Sequence, residues 1–120
     1  MVKDNTNQVY TELIQYLKGI YPQISGGTNY PEKLPSFPYL YFFQIDAPTA
    51  LTTLSNTEEG IRSAYQIEIY TDTGMNKARK IANDVRLYMI SNGFTCRTFM
   101  PVNAPSNVSR FVTRFNRLDV

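Results

Sequence analysis

Between Ile61 and Phe99 the spacing of apolar side chains changes from two residues to about 3.6 and back to two, which predicts a strand, a helix and a strand in that order. In the first strand Ile61, Tyr65, Ile67 and Ile69 alternate with Arg62, Gln66 and Glu68, so one face is expected to be buried and the other wet. Thr71-Asp72-Thr73-Gly74 carries turn and N-cap chemistry. Met75, Ala78, Ile81, Ala82, Val85, Tyr88 and Met89 then trace one stripe of a helix, and Asn92-Gly93 closes it before Phe94 to Met100 resumes as a strand. Such a unit holds almost no reactive side chain. Its function is expected to reside in surfaces.

Upstream, Val9, Tyr10, Leu13, Ile14, Tyr16, Leu17 and Ile20 recur at helical spacing, and Gly19 and Pro22 end that helix. Residues 22–36, with three prolines and two glycines, read as a long loop. The next strand, Phe37 to Ile45, is apolar in both alternating sets, Tyr39, Tyr41, Phe43 and Ile45 on one side and Leu40 and Phe42 on the other. Both of its faces need cover. Leu40 and Phe42 are expected on the sheet's second face, under a loop or another subunit, and Pro38 is expected to mark an edge strand. A Thr/Ser/Asn-rich connection spans Asp46 to Gly60, Pro101 to Val108 forms another loop, and the last strand runs from Ser109 to Leu118. There Phe111, Thr113 and Phe115 face one way while Arg110, Val112, Arg114 and Asn116 face the other. The expected fold is α+β: one four-stranded mixed or antiparallel sheet with two helices mainly on one face, in the order helix-strand-strand-helix-strand-strand. Residues 1–120 are read as a single domain.

Length and composition, 120 residues with 42% apolar and 18% charged, are those of an ordinary globular domain. The chain has no run long enough to span a membrane and no apolar centre of a signal peptide near its start, so a cytoplasmic protein is expected. With one cysteine and no histidine, neither an internal disulfide nor a metal site is expected. Charge is uneven: residues 1–75 carry four basic and eight acidic groups, residues 76–120 eight basic and two acidic, giving −4 and +6. Opposite halves of this kind either attract within one fold, associate head to tail between copies, or offer a basic patch to nucleic acid.

Catalytic chemistry is missing. Without histidine a nucleophile would need a carboxylate or lysine base beside it, and none is arranged so. Glu58 and Glu59 are adjacent in a polar loop, where they are solvated or face an arginine of a neighbour. Cys96, in the same alternating set as Phe94 and Thr98, reads as a buried, inert thiol. Gly26-Gly27 and Gly74 do not make a phosphate loop. Ser109-Arg110-Phe111-Val112-Thr113-Arg114-Phe115 does not match the RNA-recognition pattern, so no specific nucleic acid is expected.

Phe37-Pro38-Tyr39, Tyr65-Gln66-Ile67-Glu68-Ile69-Tyr70 followed by Asn76-Lys77-Ala78, Ser91-Asn92-Gly93-Phe94, and Arg110 to Phe115 together resemble the tail terminator and tail-completion (minor capsid) proteins of long-tailed bacteriophages. The resemblance spans most of the chain. It implies a non-enzymatic virion assembly protein that forms a ring, typically a hexamer, caps the tail tube and joins tail to head. The implied partners are further copies of itself, the tail tube protein and a neck or head-completion protein, in the host cytoplasm during assembly and then in the virion. No catalytic residue, cofactor or metal is implied. The candidate subunit or partner contacts are Arg110 and Arg114 against Glu58 or Glu59 of an adjacent copy, with Leu40 and Phe42. A head-completion or neck adaptor, or a small nucleic-acid-binding module, is the alternative.

Overall fold

The computed structural model describes residues 6–28, 36–45, 61–102 and 108–119. In chain order they form α1 (Thr6–Ile20), β1 (Ser25–Gly27), β2 (Tyr39–Gln44), β3 (Ile61–Thr71), α2 (Met75–Ser91), β4 (Thr95–Val102) and β5 (Ser109–Asp119). The fold is α+β, with two helices and a five-stranded mixed sheet ordered β1-β2-β3-β5-β4. The four-strand expectation is therefore corrected. β1 pairs parallel with β2, and every other neighbouring pair is antiparallel. Three small residues show no period of two, so β1 leaves no pattern to read. Its presence also moves Pro38 from an edge to the start of an internal strand, where the Pro38 carbonyl accepts from Ser25 N–H at 3.0 Å.

Gly26 explains why α1 can lie so close to this margin. A Cβ there would stand 3.0 Å from both Ile14 Cδ1 and the Tyr10 hydroxyl and 3.1 Å from the Leu40 carbonyl oxygen. A side chain at this position would push against all three, of which the Leu40 carbonyl belongs to the backbone.

Both helices cover the same sheet face. Leu13, Ile14 and Leu17 of α1 and Ala78, Ile81, Ala82, Val85 and Met89 of α2 meet Leu40, Phe42, Tyr65, Ile67, Ile69, Phe111 and Phe115 in one buried cluster. Each of the larger side chains gains about 1.5–3 kcal/mol by leaving water. Leu40 and Phe42 are completely buried here, which corrects their expected place on the second face. Both sets of β2 were apolar, and the α1 side chains, Tyr10 against Phe42 among them at 5.5 Å, decide which set turns inward. The tyrosines and Phe43 take the other face. α1 is tied to α2 by the Tyr16–Tyr88 stack, 4.7 Å between centroids, and by a short hydrogen bond from the Tyr21 hydroxyl to Asp84 Oδ2. Burial first, then the Asp84 carboxylate, pushes the Tyr21 phenol well above its ordinary range, so this tie keeps its proton.

Asn92-Gly93 closes α2 as expected. Gly93 takes φ +91, its N–H donates to the Ile90 carbonyl at 3.0 Å, and Phe94 N–H donates to the Met89 carbonyl at 3.1 Å, which is the Schellman pattern. At the other end no side chain caps the helix. Gly74 at φ 110 occupies the N-cap, and Thr71 Oγ1 donates to its carbonyl at 3.1 Å. In β4 a register shift at Arg97 pairs Cys96 with Phe115 but Thr98 with Arg114. Cys96 and Thr98 thus face opposite sides, against the simple alternation. The Cys96 thiol is partly buried on the core side, and that burial outweighs Arg86 and the Thr98 backbone to hold its pKa above the usual value.

Candidate interaction face

On the side away from the helices the strand registers arrange the side chains in rows. Tyr39, Tyr70, Arg110 and Val102 form one row; Tyr41, Glu68, Val112 and Met100 the next; Phe43, Gln66, Arg114 and Thr98 the third. Arg110 and Arg114 stand on this face as the alternation of β5 predicts. Leu40 and Phe42, the other predicted contact residues, do not join them, and Glu58 and Glu59 lie outside the described residues.

Glu68 sits at the centre of these rows and is only 3% exposed, although its strand alternation predicts a wet position. The cross-strand neighbours Tyr41 and Val112, together with Tyr70 and Arg110, are long enough to close over a side chain that points away from the core. Its carboxylate is fully engaged. Oε1 accepts from the Tyr70 hydroxyl at 2.5 Å and from Arg110 Nε at 2.9 Å, while Oε2 accepts a short bond from Gln66 Nε2. Gln66 Oε1 in turn accepts from Arg114 Nε at 2.8 Å, so both arginines are anchored to β3. Burial alone would raise the Glu68 pKa, but Arg110, Tyr70 and Gln66 together outweigh it and hold the carboxyl below its ordinary value. The same ion pair raises the Arg110 pKa. A carboxylate so saturated with donors is a poor proton acceptor. Its work is to fix the arginines in place.

Around this network the face is apolar and aromatic. Tyr41 and Phe43 pack ring to ring at 4.7 Å and are partly exposed, and Met100 on β4 is half exposed. Sequence reasoning placed Gln66 and Glu68 on the wet face without expecting Glu68 to be buried there, and it did not single out Tyr41, Phe43 and Met100 as parts of this face. The signal available was an ionisable residue on a long strand with β-branched neighbours, a position that pairing on both sides tends to bury. Among the described residues no group of Cys, Asp and Glu side chains is placed to hold a metal ion. No helix among them is long and apolar enough to cross a membrane.

No protein-family model matches this chain, and no curated protein matches it either.

Proposed function

We propose that this protein is a non-enzymatic assembly subunit that forms a closed ring, the tail terminator of a long-tailed bacteriophage, capping the tail tube and joining tail to head. The observation that carries the reading is the outer sheet face: an aromatic pair and a half-exposed thioether set beside two arginines locked by a buried carboxylate. Rigid apolar area with anchored arginines is the composition of protein contact surfaces. The resemblance in sequence supplies the tail-terminator assignment, and among the described residues both helices pack on one side of the sheet, with no described helix over the opposite face. On this reading the protein works in the host cytoplasm and then in the virion, with the tube and neck proteins as its partners.

Light scattering across a protein concentration series tests it. A closed species of about six copies is the expected result, since identical subunits joined head to tail close when the rotation permits. Met100→Asp places a charge in the apolar part of the face and should leave a folded monomer. A monomer for the unaltered protein at every concentration, with and without tube protein, overturns the ring.

A further inference from the structure

Arg79 and Arg86 stand two turns apart on α2, about 10.5 Å along the axis, on the flank beside β4. Arg79 Cζ lies 5.4 Å from the ring centre of Phe111 and Arg86 Cζ 5.4 Å from that of Phe99, and Arg86 Nε and Nη2 both donate to Asn83 Oδ1. Stacking over the rings, with the Asn83 bonds for Arg86, fixes where the two guanidinium groups sit. Exposed Lys80 and Arg97 add to the same charge. Asp84, the one carboxylate on α2, is turned to α1 by Tyr21, and among the described residues the ion pair is that of Arg110 with Glu68. Among the described residues the flank is therefore a strip of pre-positioned cations with no ion pair of its own.

A complement exists in the same sequence. Residues 46–60 carry Asp46, Glu58 and Glu59 and no lysine or arginine. Arg110 is already neutralised by Glu68 and Arg114 is bonded to Gln66, so Arg79 and Arg86 are the better counterparts for that segment. We propose that the α2–β4 flank, through Arg79 and Arg86, receives the acidic segment 46–60 of the neighbouring copy. This deepens the ring reading and rests on it: one unlike surface on each side of a subunit is what a head-to-tail contact requires.

Charge exchange between two variants tests the contact in trans. Arg79→Glu/Arg86→Glu and Glu58→Arg/Glu59→Arg should each remain monomeric alone, with unchanged circular dichroism, because like charges meet. Mixed in equal amounts they should regain the mass of the unaltered ring, since each segment then faces an opposite flank. Assembly of either variant alone, or failure of the mixture to assemble, overturns the proposal, the second outcome also being the one expected if the segment docks on its own chain. Arg79→Gln/Arg86→Gln provides the milder variant should the reversal not fold, and it too should weaken assembly. A labelled peptide of residues 46–60 separates this idea from the ring: it should bind the full chain, and the Arg79→Glu/Arg86→Glu variant at least about tenfold more weakly. If the unaltered protein is monomeric yet shows that difference, the ring fails and the docking flank stands. Equal peptide binding to both proteins, or displacement of the peptide by a short DNA strand at lower concentration, overturns it in favour of no site or of a nucleic-acid surface.

Discussion

Arg110 on β5 donates through Nε to Oε1 of Glu68 on β3 at 2.9 Å, across the sheet face opposite the two described helices. The arginine is 30% exposed and the glutamate 4%, so the pair is half in water and half in protein.

Removing one partner should therefore cost more than removing both. Glu68→Gln leaves Arg110 without its anion and weakens the Tyr70 and Gln66 bonds, an expected loss of about 1–3 kcal/mol in urea unfolding. Glu68→Leu with Arg110→Met should recover part of it. A double variant that loses the sum of the two single losses would show that the pair is not coupled.

The pH dependence follows from the direction of the Glu68 shift. Its folded pKa lies below the unfolded value, so the stability it contributes is complete above the unfolded value, about 4.3, and disappears as pH falls through the folded one. Between pH 5 and acid, roughly, the unaltered protein should lose more stability than Glu68→Gln. Parallel melting curves for the two proteins over that window contradict this.

Tyr65 is completely buried between Phe42 and Phe94, at 5.1 and 5.7 Å, and among the described residues its hydroxyl has no hydrogen-bond partner. Tyr65→Phe removes an unsatisfied polar atom and leaves the ring in place. The melting temperature should stay level or rise, with a gain of up to about 1–3 kcal/mol. A clear fall would reveal a partner for that oxygen.

Gly26→Ala should destabilise by about 1–3 kcal/mol, because the added methyl meets Ile14, Tyr10 and the Leu40 carbonyl at contact too close for all three to yield. The companion Gly19→Ala has open space around it and lies within α1, so it should be neutral or stabilising.

The strand-helix-strand unit was legible because each of its elements has one clean period, and the Gly93 closure of α2 follows from its sequence. Three things were not. β1 is too short and too small to carry a pattern, and its partner is distant in sequence and parallel. β2 is apolar on both sides, so only the approach of α1 could settle that Leu40 and Phe42 turn inward. Glu68 alternates like a surface residue, but neighbours on both adjacent strands close over it. The candidate face inherits that difficulty: Arg110 and Arg114 could be placed on it from β5 alone, whereas the residues that anchor them come from β3.

The margins of the described sheet are unlike its faces. At one end β1 is three residues long; at the other β4 is interrupted by the register shift at Arg97 and carries Pro101, which has no N–H to contribute. Neither margin offers the regular row of donors and acceptors on which a foreign strand could template itself. A ring of the kind proposed would thus be guarded against open-ended polymerisation through the backbone of these margins, and contact between copies would be left to side chains, whose matching ends when the matching surfaces are used up.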